Sequence, residues 1–163
     1  MSYLLSNGPK RAERSFETMH LSRESEYGLK AMIYLAQQPP ATILTLNQIA
    51  ESRDLPAGFL SKTFQKLVRH GLVQSFRGRR RGYCLAREPS EILLGDLLEA
   101  IEGPDLIQRC IFWGDRCGND NACTLHEAWG MVKPQFVELI QQRTLEDLAQ
   151  GRAWKRPVKR QRR

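Results

Sequence analysis

The chain has 163 residues and a net charge of +7, with 41% apolar and 26% charged residues and four cysteines. That length suits one modest core with a small appendage, not two domains. No run approaches the roughly 18 apolar residues a membrane-crossing helix needs, and no charged leader precedes a long apolar run, so neither a membrane span nor a signal peptide is expected and the cytoplasm is.

Residues 1–18 read as a polar, flexible leader holding the turn signal Asn7-Gly8-Pro9, and Met19, which opens the first patterned segment, is an alternative start of translation. Ser22 then predicts an N-cap for a helix reaching about residue 37, with Tyr27, Ala31, Ile33, Tyr34 and Leu35 on its buried face. Pro39-Pro40 stops it. Thr45 predicts the cap of a short helix over 46–52, with Ile49 and Ala50 inward, and Asp54-Leu55-Pro56 a turn into a second helix over 56–69. On that helix Phe59, Leu60, Phe64, Leu67 and Val68 recur at helical spacing and are expected inside, which turns Ser61, Lys62, Gln65, Lys66 and Arg69 outward. His70-Gly71 ends it with a glycine C-cap. Two short alternating stretches, 72–76 and 83–86, flank Arg77-Gly78-Arg79-Arg80-Arg81-Gly82 and predict a β-hairpin with a basic tip. A further helix starts at Ser90 or Leu94 and stops at Gly103-Pro104. Residues 105–123 lack a clean period and are expected to form a loop. A long helix over 124–142 carries the apolar stripe Leu125, Ala128, Trp129, Val132, Phe136, Leu139 and Ile140, with Pro134 inside it as a candidate kink, and Thr144 caps a last turn over 145–149.

Helix, short helix, longer helix and hairpin is the order of a winged helix-turn-helix. The expected fold is therefore mainly α, a winged helix-turn-helix with a two-stranded wing and a long C-terminal dimerisation helix. The charge supports a polyanionic partner. Residues 55–87 hold eight cations and no acid, residues 88–150 hold twelve acids against Arg109, Arg116, Lys133 and Arg143, and the tail over 152–163 holds seven cations and no acid. A solvated surface is the bland alternative. It competes on even terms for the tail, which reads as disordered, and less well for 55–87, where the charges lie within a patterned segment. A recognition helix sets its first turns against base edges in the major groove. That assigns Ser61, Lys62 and Gln65 to bases or phosphates and Lys66 and Arg69 to phosphates, while Arg77, Arg79, Arg80 and Arg81 reach the backbone or a narrow minor groove.

Three cysteines fall within fourteen residues as Cys110-x6-Cys117-x5-Cys123, followed by His126 one turn into the long helix. Soft thiolates with a nearby imidazole suit an iron–sulfur cluster or zinc, in a protein where disulfides are not expected. The tight Cys-x2-4-Cys knuckle that zinc prefers is absent, which favours the cluster; zinc and plain reactive thiols stay open on spacing alone. Cys84, among apolar neighbours in the wing, reads as a core cysteine. Cys123 with His126 as nucleophile and base would make an enzyme, but no phosphate loop or carboxylate pair supports that.

Met19-His20-Leu21-Ser22, Tyr27, the 46–50 helix, Phe59-Leu60, Leu67, Gly71-Leu72-Val73, Arg77-Gly78, Gly82-Tyr83 and Leu94-Gly95-Asp96, in this order and with the three cysteines, resemble the IscR/NsrR-type iron–sulfur-dependent regulators over roughly residues 19–149. The resemblance implies a homodimer in which the long helix crosses its twin, a pseudo-palindromic operator with half-sites about one helical turn apart, and a cluster whose state alters operator binding. It is read as a repressor. Cys110, Cys117, Cys123 and His126 match the 2Fe–2S arrangement, with 4Fe–4S as the alternative. Glu26 stands where other members supply a fourth ligand from the partner subunit, so Glu26 and His126 compete for that place and His126 is favoured. There are departures. The first cysteine gap is one residue longer. Ser61 stands where a glutamate reads bases in the best-understood branch. Arg79-Arg80-Arg81 replace the usual glycine and proline of the wing tip, which predicts stronger backbone affinity. The expected organisation is leader 1–18, DNA-binding domain 19–103, cluster loop 104–123, dimerisation helix and end cap 124–150, and basic tail 151–163.

Overall fold

The computed structural model describes residues 22–109 and 118–151. Helix α1 (Arg23–Ala36) opens on Ser22, whose hydroxyl accepts from the Ser25 amide. Helix α2 (Leu46–Arg53) opens on a full capping box, Thr45 and Gln48 each bonding the other's backbone. Asp54 turns the chain in the left-handed region, the Leu55 amide reaches Ala50 O at 2.9 Å, and helix α3 (Ala57–Arg69) follows. Gly71, at φ +65°, ends α3 where a side chain would be strained. The wing is the antiparallel pair β1 (Val73–Phe76) and β2 (Gly82–Leu85), in register Val73 with Leu85 and Phe76 with Gly82, joined through a single 3-10 turn at Gly78–Arg80.

The core is one cluster drawn from α1 (Ala31, Met32, Leu35), α2 (Ile49, Ala50), α3 (Leu60, Phe64, Leu67), the wing base (Leu72, Val73) and α4 (Leu94–Glu102; Leu97, Ala100, Ile101). Each large side chain buried there stabilises the fold by roughly 1.5–3 kcal/mol. The face of α1 that is buried is not quite the predicted one. Ser25, Gly28, Ala31, Met32 and Leu35 lie inside, while Tyr27, Ile33 and Tyr34 are half-buried. Gly28 permits this closeness: a Cβ there would lie 2.5 Å from Ile101 Cδ1 and 3.0 Å from Thr63 Cγ2. Phe59 also departs from expectation. It is 51% exposed, because α3 turns Leu60, Thr63, Phe64 and Leu67 inward, and its ring stands edge-on to Tyr27 at 5.8 Å.

After α4 the chain leaves the core. Residues 118–123 include a 3-10 turn, Asn119–Asn121, and lead into the 17-residue helix α5 (His126–Gln142), which carries Pro134 within it. Only Ile140 of α5 is buried; Leu125 just before it, and Met131 and Val132 within it, are 39%, 67% and 50% exposed. Of the predicted stripe, Trp129, Phe136 and Leu139 are half-buried and Ala128 is exposed. The chain then returns. Leu94 N bonds Arg143 O, Leu145 N bonds Ile92 O, and helix α6 (Leu145–Ala149), capped by Thr144, places Leu145 in the main core. No helix among the described residues is long and apolar enough to cross a membrane.

Candidate nucleic-acid interface and cysteine loop

Helix α3 presents one polar edge. Lys62, Gln65 and Arg69 are exposed and Ser61 is half-buried, beside exposed Gly58 and Phe59 in the first turn. The wing continues this surface. Its base is fixed, because the Leu44 and Tyr83 backbones exchange hydrogen bonds at 3.0 and 2.8 Å and Tyr83 packs edge-on against Phe64 at 5.0 Å. A Cβ on Gly82 would lie 2.7 Å from Leu44 O, so only glycine lets the strand approach there. The tip is a compact turn closed by Arg81 N to Gly78 O, and Arg77, Arg79, Arg80 and Arg81 all stand in solvent on it. A rigid base with a cationic tip limits the entropy lost when the arginines meet a polyanion.

Lys66 differs from its expected place. It is the most committed cation of α3: its Nζ lies 2.8 Å from Glu24 Oε2 and 2.8 Å from Ile101 O, and its side chain is 35% exposed. Position 66 lies one turn beyond buried Thr63 on the side of α3 that meets α1 and α4, so the ammonium finds a carboxylate and a helix-end carbonyl within the fold. Neighbouring polar residues also escaped the sequence reading. The Glu102 carboxylate accepts from the Ser25 hydroxyl at 2.5 Å, from the Ser22 hydroxyl and from the Ser22 amide at 3.3 Å. Burial pushes the Glu102 carboxyl up. The Ser22 and Ser25 hydroxyls, the Ser22 amide and the Arg109 guanidinium outweigh it and leave the pKa below the ordinary value. The small residues Ser25, Gly28 and Ala31 recurring along one face of α1 were the available signal of a close helix crossing.

Of the candidate metal ligands, Cys110 and Cys117 lie outside the described residues. Cys123 is a half-buried free thiol. The His126 amide bonds Cys123 O at 3.0 Å, which sets the imidazole one turn after the thiol, and His126 Nε2 lies 3.2 Å from Asn119 Oδ1. Among the described residues no three metal-binding side chains converge. Glu26, the other candidate, pairs with Lys30 at 2.6 Å on the exposed side of α1. Cys84 is buried in the wing as expected, and burial pushes its thiol pKa up, as for an inert core cysteine. The leader and the basic tail lie outside the described residues.

A helix-turn-helix with a cationic wing defines a DNA-binding transcriptional regulator. The family model Rrf2, described as an iron-dependent transcriptional regulator, matches residues 21–151, and the chain belongs to that family. The HTH-type transcriptional regulator CymR of Bacillus subtilis is 32% identical over 131 residues, spanning 80% of this chain and 90% of the relative. The solved structure of B. subtilis CymR, titled the global cysteine regulator, superposes with a TM-score of 0.69 at 31% identity, covering 83% of this chain and all of that one. That of T. potens IscR superposes with a TM-score of 0.65 at 28% identity, covering 85% of this chain and 94% of that one. The family and the CymR relative are named as transcriptional regulators, which supports the regulator role over the enzyme alternative for Cys123 and His126.

Proposed function

We propose that the protein is a cytoplasmic, homodimeric repressor that senses an iron–sulfur cluster and binds a pseudo-palindromic operator. The observation that carries the sensing role is the Cys123–His126 pair, in which Cys123 lies three residues before His126, the first residue of α5, its carbonyl accepting from the His126 amide, with His126 Nε2 hydrogen-bonded to Asn119. A hydrogen bond to the ring fixes the orientation of an imidazole, as partners of metal-binding histidines do. The donor set fits: Cys110, Cys117 and Cys123 with His126 are three soft thiolates and an imidazole, suited to 2Fe–2S, with 4Fe–4S as the alternative. Glu26 is the weaker candidate because its carboxylate is already paired with Lys30. A bound cluster supplies a chelate that oxidation or nitrosylation destroys, and so a chemical signal.

The rest belongs to the chain's own residues. Ser61, Lys62, Gln65 and Arg69 enter the major groove, and Arg77, Arg79, Arg80 and Arg81 grip the backbone or the adjacent minor groove. The uncovered Leu125, Met131 and Val132 support α5 as the dimer contact, since a helix this apolar gains most by packing on a second copy. A second copy would also supply the second half-site. Anaerobically purified protein is expected to be brown, with absorption and Mössbauer spectra that name the cluster, and to change operator affinity by about 5- to 150-fold when the cluster is lost. Identical binding by Cys117→Ala before and after reconstitution with iron and sulfide would end the switch. The likeness to CymR, of which the Staphylococcus aureus protein has been solved in an oxidized form, favours one other reading, regulation by thiol oxidation; zinc without a cluster is its variant. Colourless protein whose DNA affinity follows peroxide treatment or one bound zinc per chain would establish it.

A further inference from the structure

Helix α4 ends in carbonyls with no partner inside the helix. Two cations from different parts of the fold occupy them. Lys66 of the recognition helix donates to Ile101 O at 2.8 Å, and Arg109 donates to Glu102 O at 3.1 Å. The negative end of a helix dipole favours both. The same helix end is pinned to α1, through the Glu102 carboxylate on Ser22 and Ser25 and through Glu24 on Lys66. Packing leaves little slack, since Gly28, Thr63 and Ile101 meet with no room for a Cβ on Gly28. Arg109 immediately precedes Cys110, a candidate cluster ligand.

We propose that Lys66 is a positioning residue and not a phosphate contact: it fixes the angle of the recognition helix against the end of α4, where Arg109 anchors the chain leading to Cys110. Moving Lys66 to a DNA phosphate would strip hydrogen bonds from both Ile101 O and Glu24, in a part-buried junction where unpaired polar groups are costly. Displacement of Arg109 releases Glu102 O and loosens the helix end that Lys66 grips. The recognition helix thereby follows the loop. The transmission from loop to helix rests on the cluster reading above; the positioning role does not.

The test uses the full chain, cluster-free, with two probes: the duplex that the wild-type protein selects from a random-sequence pool, and a random-sequence duplex of equal length. Lys66→Met, which keeps the aliphatic stem, is expected to weaken the selected duplex by about 2- to 30-fold. It should leave the random duplex and the slope of log affinity against log salt at wild-type values. Amides over 101–109 and in the last turn of α3 should exchange faster with deuterium. Glu24→Gln, which removes the partner and keeps the cation, should act in the same direction and serves should Lys66→Met fail to fold. A slope shallower by about 0.9, with both duplexes weakened alike, marks Lys66 as a phosphate ligand and overturns the proposal. So does tighter binding by Glu24→Gln, or unchanged binding and exchange in both variants. Wild-type protein that takes up no iron and sulfide sinks the cluster reading while these cluster-free measurements still decide Lys66.

Discussion

The DNA-binding head and the α5 arm carry similar proportions of apolar residues and treat them in opposite ways. Helix α3 buries Leu60, Thr63, Phe64 and Leu67 completely, against partners from α1, α2, α4 and the wing. Helix α5 buries Ile140 alone and leaves Met131 and Val132 to solvent. The head closes its own core. The arm is anchored at one end, where its C-terminal turn meets Gly95 and the chain returns through Thr144 to α6, and Met131 and Val132 beyond that anchor stand exposed. The contrast teaches that an apolar stripe announces burial without saying by what: packed neighbours from α1, α2, α4 and the wing satisfy it in the head, and a second copy is the proposed answer in the arm.

That comparison breaks most visibly at Phe64. Phe64→Ala removes a fully buried ring and is expected to cost about 3–5 kcal/mol in denaturant unfolding. Met131→Glu with Val132→Glu on the arm is expected to change the stability of the head by about 0.5 kcal/mol or less, yet to shift sedimentation from dimer to monomer. A monomeric wild-type protein, or a double variant that stays dimeric, would separate the arm from the dimer. The wing tip sharpens the contrast differently, because it is exposed and still fixed. Replacing Arg79, Arg80 and Arg81 together by alanine should leave unfolding unchanged and make the salt slope of DNA binding shallower, by about 0.9 for each phosphate no longer neutralised. An unaltered slope would put the wing away from the backbone. Thr45→Ala, at the start of the helix-turn-helix, removes half of a capping box and should cost about 1 kcal/mol by thermal or urea melting.

The smallest effect concerns pH. The Glu102 carboxyl has its pKa lowered in the folded state, so the stability it contributes is fully present above the ordinary carboxylate value of about 4.3. It is lost as pH falls through the lower, folded value. Glu102→Gln should lower stability modestly at neutral pH, where that contribution is fully present, and flatten the acid limb of the stability curve in that window, as unfolding midpoints across pH would record. An unchanged acid limb would show that the Ser22 and Ser25 hydroxyls do not favour the ionised form.

Three of the six α-helix starts among the described residues were legible because caps are local. Ser22, Thr45 and Thr144 each bond an amide three residues on, and no distant residue is needed to read them. The hairpin was legible for the same reason, since two alternating stretches around a glycine-bearing turn pair with their nearest neighbour. The candidate site was less so. Lys62 and Gln65 stand where periodicity put them and the wing arginines where the hairpin put them, whereas the helical periodicity misplaced Phe59 and Lys66. Position 59 borders the buried face of α3, and whether a bordering residue is covered depends on the neighbour across it. Lys66 has a stem long enough to turn from solvent to Glu24 and Ile101 O, a choice invisible until α1 and α4 are in place.

By itself, then, the amino-acid order determined the number and kind of elements, their caps, the basic surface and the run of thiols before a histidine, because each is a property of neighbours within a few residues. Tertiary structure alone decided which polar groups are spent inside the fold. Glu24, Ser25, Lys66 and Glu102 come from three separated stretches of chain, and only the crossing of α1, α3 and α4 at Gly28 brings their partly desolvated charges and hydroxyls within bonding distance.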